Sequence, residues 1–161
     1  MKPITYTNRK GATYTLFRSD TRTGNPRYYF AKSSKKGVAC EKIPDGYEIR
    51  ESVNGRVSLA KKRPGLLLQA EMGRIRDVLE AHPRKESYRI QVKTDRIVIH
   101  EFIGPDLDEI VELFQQYGIG PLGKVRDRLQ AYQEKHASYD AILRFILEDE
   151  SERTYRAERM C

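Results

Sequence analysis

The side chains best suited to chemistry lie in one basic, aromatic stretch of the N-terminal half. The candidate ligand-binding residues in this stretch are Arg22, Arg27, Tyr29, Lys32, Lys35 and Lys36. Lysine and arginine neutralise nucleic-acid phosphates, and an aromatic ring on a strand can stack on a base. Strand alternation places Tyr28 and Phe30 on one face and Tyr29 on the other, beside Arg27. One aromatic face must cover the core, so the alternative interpretation is core aromatic rings beside solvated cations.

A second candidate is the glycine string at residues 118–123, which spells G-x-G-x-x-G. A dinucleotide site needs a strand before this string, whereas the pattern here predicts a helix, so we expect a helix–helix connection. Gly118, Ile119, Gly120 and Pro121 resemble the helix-hairpin-helix element of DNA-binding proteins, although Lys124 and Asp127 stand where that element has a small and an apolar residue. The resemblance implies that loop amides hold a backbone phosphate. The secondary phosphate-contact candidates are Gly118, Gly120 and Lys124, and the alternative is an ordinary turn with glycine at the helix C-cap.

No catalytic, metal or cofactor site is predicted. The three histidines do not converge in sequence on a nucleophile, and neither Cys40 nor Cys161 has a second ligand at metal-binding spacing. The chain contains no P-loop, G-x-S-x-G or H-E-x-x-H string. Cys40 is expected to be a small buried residue on a strand. An enzyme whose groups assemble from distant positions stays an alternative.

Charge is distributed unevenly along the 161 residues, which carry a net charge of +7. Residues 1–65 contain 15 Lys and Arg against 5 Asp and Glu, or +10, and residues 66–161 contain 15 against 18, or −3. Such asymmetry favours an anionic partner, or attraction between the two halves. The N-terminus lacks a secretory signal and no apolar run could span a bilayer, so we expect a cytoplasmic protein with no membrane partner.

Hydrophobic periodicity predicts strands first and helices later. Strands are expected at 13–18, 27–32, 38–41, 47–53, 57–59, 88–93 and 96–103, and helices over 66–81 and from residues 106, 121 and 138. The tail of the last helix, to residue 159, would contain the ion pairs Asp149–Arg153 and Glu152–Arg156. Asn54-Gly55 predicts a two-residue type I′ hairpin, in which both central residues have positive φ. Ser138 is expected to cap the last helix, whose apolar face would contain Ala141, Ile142, Phe145 and Ile146.

These patterns predict one α+β domain over residues 1–161, with a basic β-rich part (1–65) and a part with a helix, a hairpin and C-terminal helices (66–161). An antiparallel sheet of five to seven strands, from residues 4–62 and 87–103, would pack against four helices. The leading hypothesis is non-catalytic binding of a polyanion, DNA or RNA, through the basic strands and turns. The alternative is a protein-interaction or scaffold domain, whose acidic C-terminal helices bind a basic partner or a second copy. A basic face could likewise bind an acidic protein.

Overall fold

The chain forms two compact units, each with its own sheet. A computed structural model describes residues 2–161. Unit 1 ends at Pro64 and unit 2 begins at Gly65, one residue from the change in charge and composition seen in the sequence. The mixed α+β class and the antiparallel pairing are confirmed. The interpretation as one domain stays a prediction.

Unit 1 contains six strands. They are β1 (Thr5–Thr7), β2 (Thr13–Asp20), β3 (Pro26–Ala31), β4 (Val38–Ala39), β5 (Tyr47–Glu51) and β6 (Val57–Lys61). Strand β2 is central: β3 pairs along one of its edges, while β1 and then β4 pair along the other. Strands β5 and β6 form a separate antiparallel hairpin. Unit 1 therefore has a four-stranded sheet and a two-stranded ribbon.

The core of unit 1 lies between this sheet and the β5–β6 hairpin. Leu16 lies opposite Phe30 on the inner face of the sheet and is fully buried. On the same face, the Tyr28 ring lies 6.4 Å from the ring of Tyr47 on β5. The Tyr6 hydroxyl donates a 2.9 Å hydrogen bond to Glu51, also on β5. The strand alternation predicted for residues 28–30 is confirmed, because Tyr28 and Phe30 face this core and Tyr29 faces away.

Asn8 joins the β1–β2 turn to the hairpin tip. Its side-chain amide donates to the carbonyl of Gly55 at 2.7 Å, and its carbonyl oxygen accepts from the amides of Lys10 and Ala12 at 3.1 and 2.8 Å. The residue is 6% exposed. Burying an amide costs free energy unless its polar atoms are hydrogen-bonded, and these three bonds meet that requirement.

The β5–β6 hairpin forms where the sequence predicts it, but with a different turn. The amide of Ser52 donates to Arg56 and the amide of Gly55 donates to Ser52, both at 2.9 Å, so the loop contains three residues, 53–55. Gly55 alone in this loop has a positive φ, 78°. The predicted two-residue type I′ turn is wrong, because the observed turn needs only one left-handed residue and Asn54 keeps a negative φ.

Unit 2 combines three helices with a second antiparallel sheet. Its elements are α1 (Gln69–Glu80), a 3-10 turn (Lys85–Ser87), β7 (Tyr88–Val92), β8 (Arg96–Ile103), α2 (Leu107–Gln116), α3 (Leu122–His136), β9 (Ser138–Asp149) and β10 (Thr154–Arg159). The strand order is β10-β9-β8-β7. Ile97, Val98 and Ile99 of the inner strand β8 are all buried, so this sheet is covered on both faces at its centre.

The C-terminal segment differs from its predicted secondary structure. Residues 138–159 form β9 and β10, not a fourth helix. The residues described contain three α-helices and ten strands in three sheets, so the expected four helices and single sheet of five to seven strands are wrong in number. Ala141, Ile142, Phe145 and Ile146 occur at helical spacing, yet they belong to a largely apolar strand, interrupted by Arg144, that pairs with β8 on one side and β10 on the other. Periodicity does not separate a short buried helix from a buried strand.

Candidate functional site

The six residues predicted to contact a ligand lie together on unit 1. Arg22 is in the β2–β3 turn, Arg27 and Tyr29 are on β3, and the loop from β3 to β4 contains Lys32, Lys35 and Lys36. Residues 21–40, here called the cationic segment, contain these five cations and no Asp or Glu. All five cationic side chains are exposed. The structure therefore presents five cations and a tyrosine on one turn, one strand and one loop.

The loop of residues 32–37 crosses the sheet. Strands β3 and β4 pair with opposite edges of β2, so the chain between them must pass over β2. The Tyr29 hydroxyl and Ser34 Oγ are 2.6 Å apart, and Ser34 Oγ accepts from the amide of Gly37 at 2.8 Å. Tyr29 and its strand partner Phe17 lie on the outer face, opposite the hairpin. The loop thus packs on the outer face of the sheet, and hydrogen bonds hold it there.

The five cations lack acidic partners. Within residues 2–161, none of them forms an ion pair with a carboxylate. The residues flanking the cationic segment differ, since Arg18 pairs with Asp20 at 3.7 Å and Lys42 with Asp45 at 3.3 Å. The Arg27 guanidinium carbon instead lies 6.0 Å from the centroid of the Tyr29 ring. The positive charge of this surface is therefore available to an external anion.

Tyr29 has a structural contact on each part of its side chain. Its ring stacks on Phe17, with centroids 5.9 Å apart and planes inclined by 28°. Its hydroxyl is engaged by Ser34. The ring is half-buried, so one side of it is covered by the sheet. Tyr29 therefore positions the loop that carries Lys35 and Lys36, in addition to any contact that it makes with a ligand.

No protein-family model, curated protein or solved structure matches this chain. Residues 2–161 bring together no group of three His, Cys, Asp or Glu side chains able to hold a metal ion. None of the helices found in those residues has the length and apolar character needed to cross a bilayer.

The secondary candidate, Gly118 with Gly120 and Lys124, belongs to unit 2. It connects α2 to α3, which confirms the predicted helix–helix order. The amide of Gly118 donates to Gln115 at 3.2 Å, and that of Ile119 donates to Phe114 at 3.0 Å. This pair of bonds is a Schellman C-cap, with φ of 65° at Gly118. Two loop amides therefore close α2, and a phosphate contact through Gly120 and Lys124 stays a prediction.

Unit 2 also contains an ionic cluster that sequence reasoning did not find. Arg153 donates to both carboxylate oxygens of Glu71, at 2.8 and 2.5 Å, and Tyr155 donates to Glu71 at 2.5 Å. The hydrogen bonds from Arg153 lower the pKa of Glu71 to about 2. Burial, and then the bond to Glu71, raise the pKa of Tyr155 to about 12. The cluster joins α1 to the β9–β10 turn, and the separation of 82 positions between Glu71 and Arg153 leaves no local signal of it.

Proposed function

We propose that this protein binds nucleic acid through the cationic segment, as a binding module and not as a catalyst. The observation that carries the proposal is the set of five exposed cations without acidic partners on residues 21–40. Elsewhere in the chain, charged side chains commonly pair: Arg144 with Glu158 and Arg126 with Asp108 are two examples. A surface that keeps its cations unpaired attracts anions more strongly than one with balanced charges.

The spacing of the cations favours a polyanion over a single small anion. Arg22 is in one turn, Arg27 is on the following strand, and Lys35 is in the loop beyond that strand. A single phosphate contacts cations that converge on one point, whereas a nucleic acid offers one phosphate per nucleotide along its length. Each phosphate neutralised by Lys or Arg releases condensed counterions, and these contributions add. Cations distributed over a turn, a strand and a loop are therefore suited to a nucleic-acid backbone.

The fixed loop strengthens this proposal. Ser34 joins the loop to Tyr29 by a hydrogen bond, and Gly37 lies directly against Tyr29 and Phe17. When a flexible loop binds a ligand, the free energy of binding includes the entropy lost as the loop becomes ordered. Because this loop is already held on the sheet, Lys35 and Lys36 lose less backbone freedom on binding. The loop is thus organised before it meets a ligand.

A protein-interaction role for the C-terminal helices is the second candidate. Helix α2 contains Asp108, Glu109 and Glu112 and no Lys or Arg. Leu113 on this helix and Tyr117 at its C-cap are 53% and 72% exposed. Helix α3, in contrast, contains more Lys and Arg than Asp and Glu. A basic partner would therefore contact α2 in preference to both helices together.

Salt dependence tests the nucleic-acid proposal. Binding of fluorescein-labelled single-stranded and duplex 20-mers is measured by anisotropy over a series of KCl concentrations, for the wild type and for the double variant Lys35→Ala/Lys36→Ala. Losing two phosphate contacts should reduce the slope of log affinity against log salt by about 1.4 for single strands or about 1.8 for duplex DNA. Affinity should fall similarly for all base sequences.

The matched control is Arg74→Ala/Arg76→Ala, which removes the same charge from unit 2. Arg74 and Arg76 are exposed on helix α1. This variant should keep the wild-type slope. Equal losses in the two double variants would show that only net charge matters. No binding to any DNA or RNA at low salt, by a folded sample, would overturn the proposal.

A further inference from the structure

Unit 1 contains an open recess next to the cationic segment. Its volume is about 260 Å³, and it is lined by Arg18, Tyr28, Cys40, Lys42, Ile43, Pro44 and Asp45. Arg18 and Tyr28 are cross-strand partners on β2 and β3. The remaining lining residues belong to the segment that follows β4. The recess therefore lies where the inner face of the sheet meets this segment.

The walls of the recess combine an aromatic and apolar surface with two cations. Tyr28, Ile43 and Pro44 supply the apolar part, while Arg18 and Lys42 supply the charge. The ring of Tyr28 contacts Tyr47 at an inclination of 45°, which holds its orientation. The two cations pair with Asp20 and Asp45, but these ion pairs are exposed to solvent. Exposed ion pairs are weak, so a phosphate can replace either carboxylate.

The volume of the recess limits what it can hold. Pockets for drug-sized ligands have volumes of about 300–1,000 Å³, so this recess suits a fragment of a ligand. A single base is flat and apolar on its faces, and its sugar links it to the phosphates of the backbone. Aromatic rings stack on bases, and Lys or Arg beside them contact the backbone. The recess thus has the walls that one unpaired nucleotide requires.

The recess lies on the inner face of the sheet, opposite the loop that carries Lys35 and Lys36. Arg27, on the outer face of the edge strand β3, directly precedes Tyr28 on the inner face. Arg22 is in the turn that joins the two strands lining the recess, so a strand bound to Arg22 and Arg27 reaches the recess around this end of the sheet. We propose that this recess holds one unpaired base of a nucleic acid bound to the cationic segment, stacked on Tyr28, with Arg18 and Lys42 on the neighbouring phosphates. The inference rests on the proposed function, and it adds a preference for single strands, because a paired base cannot enter the recess.

Cys40 reports directly on occupancy of the recess. The chain has two cysteines, so Cys161→Ser leaves Cys40 as its one thiol. Burial raises the pKa of Cys40, so alkylation by iodoacetamide is measured at mildly alkaline pH. The protein is saturated either with oligo-dT or with an abasic strand of equal length and charge. Oligo-dT should slow alkylation several-fold, and the abasic strand should leave the rate near that of the free protein.

Affinity provides the second measurement. Wild-type protein should bind oligo-dT roughly 5- to 150-fold more tightly than the abasic strand, the range for one stacked base. Tyr28→Leu keeps an apolar side chain and should remove this preference without changing affinity for the abasic strand. If Tyr28→Leu shows no cooperative unfolding transition, the variant is not folded. Alkylation of Cys40 in the protein with Tyr28 intact then still decides whether a base occupies the recess.

The outcomes separate this inference from the proposed function. Binding of neither strand overturns both proposals. Equal affinity for the two strands, with equal alkylation rates, overturns the recess as a base site and leaves the cationic segment as the binding surface. If thymidine monophosphate alone protected Cys40 at the same concentration as oligo-dT, the recess would be a site for a free nucleotide. That result would overturn the strand proposal.

Discussion

Replacing Gly37 by Ala tests whether the loop of the cationic segment lies on the sheet. A Cβ atom at Gly37 would lie 2.4 Å from the Tyr29 hydroxyl oxygen and 2.9 Å from both Phe17 Cβ and Ser34 Oγ. The φ of Gly37 lies outside the left-handed region, so the penalty is steric and not conformational. Phe17 is buried on the central strand and cannot withdraw. The loop must shift, and overpacking of this kind costs about 1–3 kcal/mol.

The measurement is the free energy of unfolding from urea titration. Gly73→Ala is the control, because Gly73 is inside α1 with nothing within 4 Å of an added Cβ. That variant should stabilise the protein by about 0.5–1 kcal/mol, since alanine favours a helix interior over glycine. The two glycine variants should therefore change stability in opposite directions. An unchanged free energy of unfolding for Gly37→Ala would refute the described packing of the loop.

A double-mutant cycle with Tyr29→Phe identifies the contact responsible for the destabilisation by Gly37→Ala. Removing the Tyr29 hydroxyl alone costs about 0.5–1.5 kcal/mol, because its bond to Ser34 is lost. In the Gly37→Ala background, the same change also removes the atom nearest to the new methyl group. The double variant should therefore be less destabilised than the sum of the single variants, by at least about 0.5 kcal/mol. Strict additivity would mean that Gly37 and Tyr29 are not in contact.

The two remaining predictions concern stability away from the cationic segment. Asn8→Ala removes three hydrogen bonds of a buried amide and should cost about 2–4 kcal/mol in urea unfolding, whereas an alanine at the exposed residue Asn25 should change little. The pKa of Glu71 is lowered from 4.5 to about 2 in the folded state, so its stabilisation is complete above about pH 4.5 and is lost as pH falls through 2. Glu71→Gln should be less stable at pH 7 and should flatten the pH dependence between pH 5 and 2 in thermal melts; a slope equal to the wild type would contradict the ionic role.

Local signals were sufficient for much of the fold. The β7–β8 hairpin and helices α1, α2 and α3 occur close to where periodicity predicts them. Asp106 is the N-cap of α2, and its carboxylate accepts from the amide of Asp108 at 2.8 Å. These features depend on residues a few positions apart, so their physical causes are visible in the chain itself.

Long-range strand pairing explains why the helix predicted from residue 138 is wrong. The segment from Ser138 becomes β9 because β8 offers an unpaired edge to it, with Phe145 opposite Ile97. The expected ion pair between Asp149 and Arg153 is absent for the same reason: Asp149 accepts from the amides of Ser151 and Glu152 in the strand turn, and Arg153 extends to Glu71. Partners some 50 to 80 residues away decided these contacts, and no local pattern contains them.

At the candidate site, too, local features were predicted from the sequence and features that depend on tertiary pairing were not. The positions of Arg27 and Tyr29 on one face followed from strand alternation. The crossing of the loop over β2 did not, because it depends on the two-residue strand β4 pairing at the edge of β2 opposite β3. Cys40 was expected to be buried, yet it is half-buried and lines the recess. The residues were found in the sequence, and their arrangement required the tertiary pairing.

The fixed loop maintains electrostatic repulsion among the unpaired cations. Lys35 and Lys36 are adjacent in a loop held on the face that also contains Arg27, so folding brings like charges together. That repulsion opposes the folded state and is strongest at low salt, because ions screen it. A loop free to move away would relieve the repulsion, but Gly37 and the bond between Ser34 and Tyr29 hold it in place. In the complex that we propose, a polyanion would neutralise these charges without moving the loop, so an arrangement that is unfavourable for the free protein would favour binding.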